Sequence, residues 1–388
     1  MSILLKLFRP NGQVELDYRL ARIESCLRAV ANLQMGSAEH LERLDPILTA
    51  LSDSHKQVNQ YLGLLNQQTA ARFDRLNVRL GELGQAASLA LKIGHNGEHE
   101  NLLYQALIGA EKPLSNSALP IPLTSSLCQQ VHFCLDQYRF WVRQLKDKPR
   151  FLRKQWEFFF IAQALFERGM IQRGRKGVGF GVGQEPLPAL FASFGVEILA
   201  TDQSYEDAER AGWVKSSQHS RNLSGLNERG ICTDAMFHQL VQFAEVDMNG
   251  LPAHMVGQFD FCWSSCTLEH LGSLKHGTEF IKRSLDLLKP GGIAVHTTEF
   301  NLSSDEHTIE SEGLSVYRHR DIEELVADIE AAGHTVEPID WTRGGGLAES
   351  VVDLPPWGRG EPHIRLLLGE FECTSIGLII RRNAASTD

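Results

Sequence analysis

From residue 20 the apolar positions repeat with a seven-residue period. One set reads Leu20, Leu27, Gln34, Leu41, Leu48, His55, Leu62, and its partner set reads Ile23, Val30, Ser37, Leu44, Leu51, Val58, Leu65. Eleven of these fourteen are apolar, which predicts a coiled-coil seam. After Leu65 the register slips by four and resumes at Phe73, Leu76, Leu80, Leu83 and Ala87, a stutter that unwinds a supercoil without ending it. Residues 1–93 therefore read as a helical coiled-coil arm that makes the protein a homo-oligomer through residues 20–91. A helical hairpin folded on itself would bury the same stripe. Glycines and prolines punctuate residues 94–124, which read as a linker.

Beyond it the pattern changes twice. Residues 125–172 are rich in aromatics, and Trp156, Phe159, Phe160 and Ala164 fall at helical spacing, with Arg150, Arg153 and Lys154 on the opposite face. This predicts a helical lead-in or lid. From 173 to 388 short apolar runs alternate with helical patterns: Val196–Thr201, Val241–Val246, Phe259–Ser264, Ile293–Thr298, His334–Ile339 and Ser375–Ile380. That alternation predicts an α/β fold with a doubly wound, Rossmann-like sheet. The clearest helix is 321–332, with Asp321 as its expected cap and Gly333 as its stop.

Composition narrows the class. Apolar residues make up 43% and charged residues 22%, as in globular proteins. No apolar run is long enough to span a membrane. Seven cysteines without framework spacing predict reduced thiols and a cytoplasmic location. The net charge of −10 argues against nucleic acid as a partner.

Candidate chemistry begins at K-G-V-G-F-G-V-G-Q-E, residues 176–185, a strand followed by a glycine turn at Gly179, Gly181 and Gly183 and then Pro186. Such a turn lies at the carboxyl end of a strand, where open α/β sheets bind ligands. Asp202 closes the next strand and can accept hydrogen bonds from ribose hydroxyls. Asp247, followed by Met248, closes the one after and can receive an adenine amino group. Each acid could instead cap a following helix.

Together with G-Q-F-D-F-C-W-S-S-C-T-L-E-H-L and L-L-K-P-G-G-I-A-V-H-T-T-E-F, these stretches resemble the class I S-adenosylmethionine-dependent methyltransferases over residues 173–382. The wording is similar to a bacterial, glycan-associated, type 11-like subgroup. The resemblance implies S-adenosylmethionine as cofactor, held by Gly179, Phe180, Gly181, Gly183, Asp202, Asp247, Met248 and Ser264. One departure stands out: the family's acid two residues before the first glycine is Gly177 here.

The implied activity is methyl transfer, most simply to a hydroxyl of a glycan or other small polar acceptor, which needs a base for the leaving proton. His270 is the candidate base, with Glu269 to orient it or hold substrate. Glu299 and Asn301, beyond the next strand end, are candidate substrate contacts. His296 reads as a core histidine. The insert 343–362 adds Asp353 and Trp357, an acid and a ring suited to a sugar. A chelate of Glu269, His270 and Glu299 or His319 is conceivable, yet Cys266 stands where a related metal-dependent pattern has an acid, so no metal is expected. Two other readings stay open: a natural-product or protein methyltransferase, and a non-catalytic scaffold favoured by Gly177.

Overall fold

The computed structural model describes residues 123–206, 209, 220, 222–223, 225–355, 357 and 362–384. The expected arm, its oligomer seam and all but the end of the linker lie outside these residues. The described chain opens with strand β1 (Ser125–Leu127), then helices α1 (Gln130–Phe133), α2 (Asp136–Gln144) and α3 (Arg153–Glu167). Strand β2 (Lys176–Phe180), helix α4 (Leu187–Ser193), β3 (Glu197–Asp202), α5 (Asp234–Leu240), β4 (Val241–Glu245) and β5 (Phe259–Ser265) follow. Next come α6 (Leu274–Asp286), β6 (Leu288–Asn301), α7 (His319–Ala331), β7 (Thr335–Val336) and β8 (Ile339–Asp340). The chain closes with β9 (Val352–Asp353), β10 (Arg365–Leu368) and β11 (Phe371–Arg381).

The sheet order is β4-β3-β2-β5-β6-β11-β1-β8. Strands β2 to β6 run parallel, and β11 returns antiparallel against β6. The order reverses between β2 and β5, which opens a crevice at their carboxyl ends, the ligand position of doubly wound sheets. One face carries α3 and α4 over Phe261, Trp263, Val295 and Ile379. The other carries α6 and α7 over Val178, Phe180, Ala294 and Leu378.

Three details differ from the sequence reading. Residues 125–127, the start of the expected helical lead-in, are a strand instead, because β1 pairs with β11 inside the sheet. The run 334–339 divides into β7 and β8, since Pro338 lacks the N–H that a continuous ladder needs, and the halves pair with β11 and β1 respectively. Asp321 is not the cap of its helix: Arg318 is, and Asp321 in the first turn accepts the Arg318 N–H at 2.8 Å.

Candidate functional site

At the end of β2 the backbone turns through two left-handed glycines, Gly181 (φ 56°) and Gly183 (φ 50°), which no β-branched residue could replace without strain. Gly181 also lies so close to Thr267 that a Cβ would come within 2.3 Å of its methyl carbon. Gly179 is required for another reason: a Cβ there would meet the Trp263 indole at 2.3 Å. Phe180 sends its ring into the opposite layer against Phe280, so only its backbone faces the turn.

Asp202 is buried at the end of β3, and its carboxylate accepts from Gly183 N and Ser220 N, both at 3.1 Å, and from Gln203 N at 2.9 Å. Turn and acid are thus one hydrogen-bonded unit. Asp247 is exposed and accepts from Asn249 N at 2.8 Å, capping the short turn Met248–Gly250; the Met248 side chain is buried. Ser264 does not face the crevice. Its hydroxyl lies 2.8 Å from His296 Nδ1 in the layer beneath α6. There His296, whose Nε2 is 3.3 Å from Ser284, is lowered to about pKa 3 by burial.

The most concentrated chemistry sits at the ends of β5 and β6, beneath the first turns of α3. Arg153 pairs with Glu299 and donates to Ser375 Oγ at 2.9 Å. Lys154 donates to the Ser265 carbonyl at 2.7 Å and approaches Glu157 at 3.2 Å. Glu157, fully buried, accepts from Cys266 Sγ at 2.9 Å and Ser265 Oγ at 3.2 Å. Burial pushes the Glu157 carboxyl up, but Lys154 and Arg153 reverse this and leave it below the usual range. Glu299 goes the other way: burial raises it, and Arg153 only partly offsets this against Glu269 and Glu157. Cys266 holds this corner with φ at 49°, a left-handed conformation uncommon for a non-glycine residue.

Of the expected basic face, Arg153 is therefore turned inward and Lys154, half-exposed along its stem, sends its ammonium to Ser265, because the strand ends supply partners for both. Sequence reasoning missed Arg153, Lys154, Glu157 and Cys266 as site residues. Glu157, a lone acid inside W-E-F-F-F, was the available signal.

The remaining candidates spread out. Glu269 is buried and accepts from Thr298 Oγ1 at 2.9 Å, so its carboxylate is turned to the strand rather than bonded to His270. His270 Nδ1 lies 2.8 Å from the Gly313 carbonyl at the rim. The Asn301 amide donates to His307 O and Thr308 Oγ1 and accepts from Ser303 N and Ser304 N, which commits it to a loop. Asp353 is committed to His363 Nδ1 at 2.6 Å, whereas Trp357 keeps an exposed ring and donates to Leu367 O. The insert touches the crevice region through His363, whose carbonyl accepts Arg153 N at 2.9 Å. Among the described residues Cys266, Glu269 and Glu299 bring ligand-type atoms within 4.8 Å of one another, but the Arg153 guanidinium already lies against two of the three.

Residues 177–296 match the family model described as a methyltransferase domain. This segment is a methyltransferase domain. No curated protein matches the chain. Solved structures similar to it include the Burkholderia thailandensis 1,6-didemethyltoxoflavin-N1-methyltransferase with S-adenosylhomocysteine, at 16% identity over 57% of this chain and 76% of that one, TM-score 0.35. Another is a SAM dependent methyltransferase from Aquifex aeolicus, at 16% identity over 57% and 88% of the two chains, TM-score 0.32. Within the methyltransferase domain Gly177, the feature that favoured a scaffold, has a packing cause: a Cβ there would lie 2.3 Å from Phe261 Cζ.

Proposed function

We propose that this methyltransferase acts on a hydroxyl of a glycan or another small polar acceptor, in the manner of the bacterial glycan-associated subgroup its wording resembles. The observation that carries the reading is Glu299. Its Oε2 is buried and has no hydrogen-bond partner among the described residues, although it stands at the carboxyl end of β6 beside the crevice. An unmet buried acceptor costs about 1–3 kcal/mol, and an acceptor hydroxyl would relieve that cost.

When bound, S-adenosylmethionine supplies a methyl group on a sulfonium sulfur, open to in-line displacement. Asp202 takes the ribose hydroxyls and Asp247 the adenine amino group. His270 takes the acceptor's proton: with Nδ1–H donated to the Gly313 carbonyl, the lone pair is on Nε2, a tautomer assigned from that contact. Trp357 offers its exposed ring to a sugar face. The arm at residues 20–91 joins copies of the chain, which works in the cytoplasm.

Transfer of labelled methyl from S-adenosylmethionine to a panel of sugars, sugar nucleotides, amines and proteins tests the reading. Label in hydroxyl-bearing sugars supports it. Label in amines or proteins and none in sugars overturns it.

A further inference from the structure

Position 177 cannot hold the acid that the family pattern places there. Phe261 fills the space above Gly177, stacked on Trp263 at 5.9 Å and edge-on to Phe191 at 5.7 Å. On the same face of the sheet, two residues after the glycine turn, lies a different carboxylate. Glu185 is 7% exposed, and its Oε1 accepts the Trp263 Nε1 hydrogen at 2.6 Å. The same indole edge covers Gly179, so Glu185 sits one ring edge from the turn backbone. Its Oε2 has no hydrogen bond among the described residues.

We propose that Glu185 receives the α-ammonium group of S-adenosylmethionine, replacing the carboxylate missing at position 177. The inference rests on S-adenosylmethionine as the methyl donor. The groups facing Glu185 are Lys154 and Glu157 from α3, Asp202 from β3 and the Trp263 indole from β5. Lys154 is the single cation among them, and its hydrogen bonds go to Ser265. Two further carboxylates share the neighbourhood, so a second cation is accommodated electrostatically.

Burial pushes the Glu185 carboxyl up to about 8, with Lys154 and Trp263 opposing and Glu157 and Asp202 adding to the rise. At neutral pH the proton therefore stays on Glu185 until an ammonium arrives. Binding then releases that proton to solvent and leaves a carboxylate–ammonium pair.

Calorimetry on the full chain tests this with two ligands: S-adenosylhomocysteine, and 5′-methylthioadenosine, which lacks the amino-acid end. Glu185→Gln keeps an oxygen for the Trp263 hydrogen bond, and near-ultraviolet circular dichroism checks its fold. It should weaken S-adenosylhomocysteine roughly tenfold or more and leave methylthioadenosine unchanged. In the unmodified protein at pH 7, repeating the titration in buffers of different ionisation heat should show proton release with S-adenosylhomocysteine and none with methylthioadenosine. Equal weakening of both ligands, unchanged S-adenosylhomocysteine affinity in the variant, or binding without proton release overturns the role of Glu185. Failure of the unmodified protein to bind any adenosyl ligand would overturn the donor itself, a separate outcome.

Discussion

Arg153, the first residue of α3, pairs with Glu299, the buried acid near the end of β6, and so ties the covering helix to the floor of the crevice. The guanidinium also reaches Ser375 and lies 3.4 Å from Glu157. Removing one partner of a buried pair strands the other. Arg153→Met should cost about 3–5 kcal/mol of stability. Guanidinium denaturation measures this, and a loss under about 1 kcal/mol would show that the pair contributes little.

Installing the family acid should harm the fold. Gly177→Asp drives a Cβ into the Phe261 ring and buries a carboxylate there, a combination expected to cost about 3 kcal/mol or more. Adding Phe261→Ala should recover part of the loss by vacating that space. A stable single variant, read by its thermal melt, would contradict the packing account.

These two cases also separate what the sequence carried from what it did not. The glycine turn and the acids closing β3 and following β4 were legible because each is local: a φ requirement, or a residue at a strand end. The aromatic stripe at Trp156, Phe159 and Phe160 was legible for the same reason, and all three are buried. The inward turn of Arg153, Lys154 and Glu157 was not. Helical periodicity assigns charge to solvent, and here the partners are Ser265, Glu299 and Ser375, each more than 100 positions away. Asn301 and Ser264 had partners hidden for a related cause. Each stands at a strand end facing the right direction in sequence, yet nearby groups already satisfy it. Glu185 passed unnoticed because its partner, Trp263, lies on another strand.

His296 should leave a signature in the pH dependence of stability. Its folded pKa, lowered to about 3 by burial, lies below the ordinary value near 6.5, so the unfolded chain binds the extra proton between those limits. Stability from this residue is present above pH 6.5 and is lost as pH falls, by about 1.4 kcal/mol per unit. Glu185 and Glu299, raised in the fold, contribute with the opposite sign. The comparison with His296→Asn isolates the histidine: between pH 6.5 and 5 the unmodified protein should lose about 2 kcal/mol more than the variant in urea titrations. Parallel curves would show that burial leaves the His296 imidazole near its ordinary proton affinity.

His270→Ala should leave S-adenosylhomocysteine binding unchanged and slow methyl transfer by about 10²–10⁴-fold, the range of a lost general base. Calorimetry and labelled transfer to the acceptor found in the panel provide the two readouts. Unchanged turnover excludes the imidazole as base.

The heptads at residues 20–65 make a prediction for the assembly. A chain lacking residues 1–92 should scatter light as a monomer while the full chain scatters as an oligomer. The same mass per particle for both would remove the seam from consideration.

The pairing of β1 with β11 has a consequence for synthesis of the chain. Ser126 meets Gly377, and the Ser125 hydroxyl accepts the Ile379 N–H, across about 250 residues of sequence. At ribosomal rates of about 5–20 residues per second, β1 waits roughly 12–50 seconds for its partner strand. Until β5 and β6 emerge, the aromatic helices behind it lack the strands they cover, and until β11 emerges they lack Ile379. Nascent chains of this protein should therefore depend on chaperones that shield exposed apolar surface, and completion of the last strand should release them.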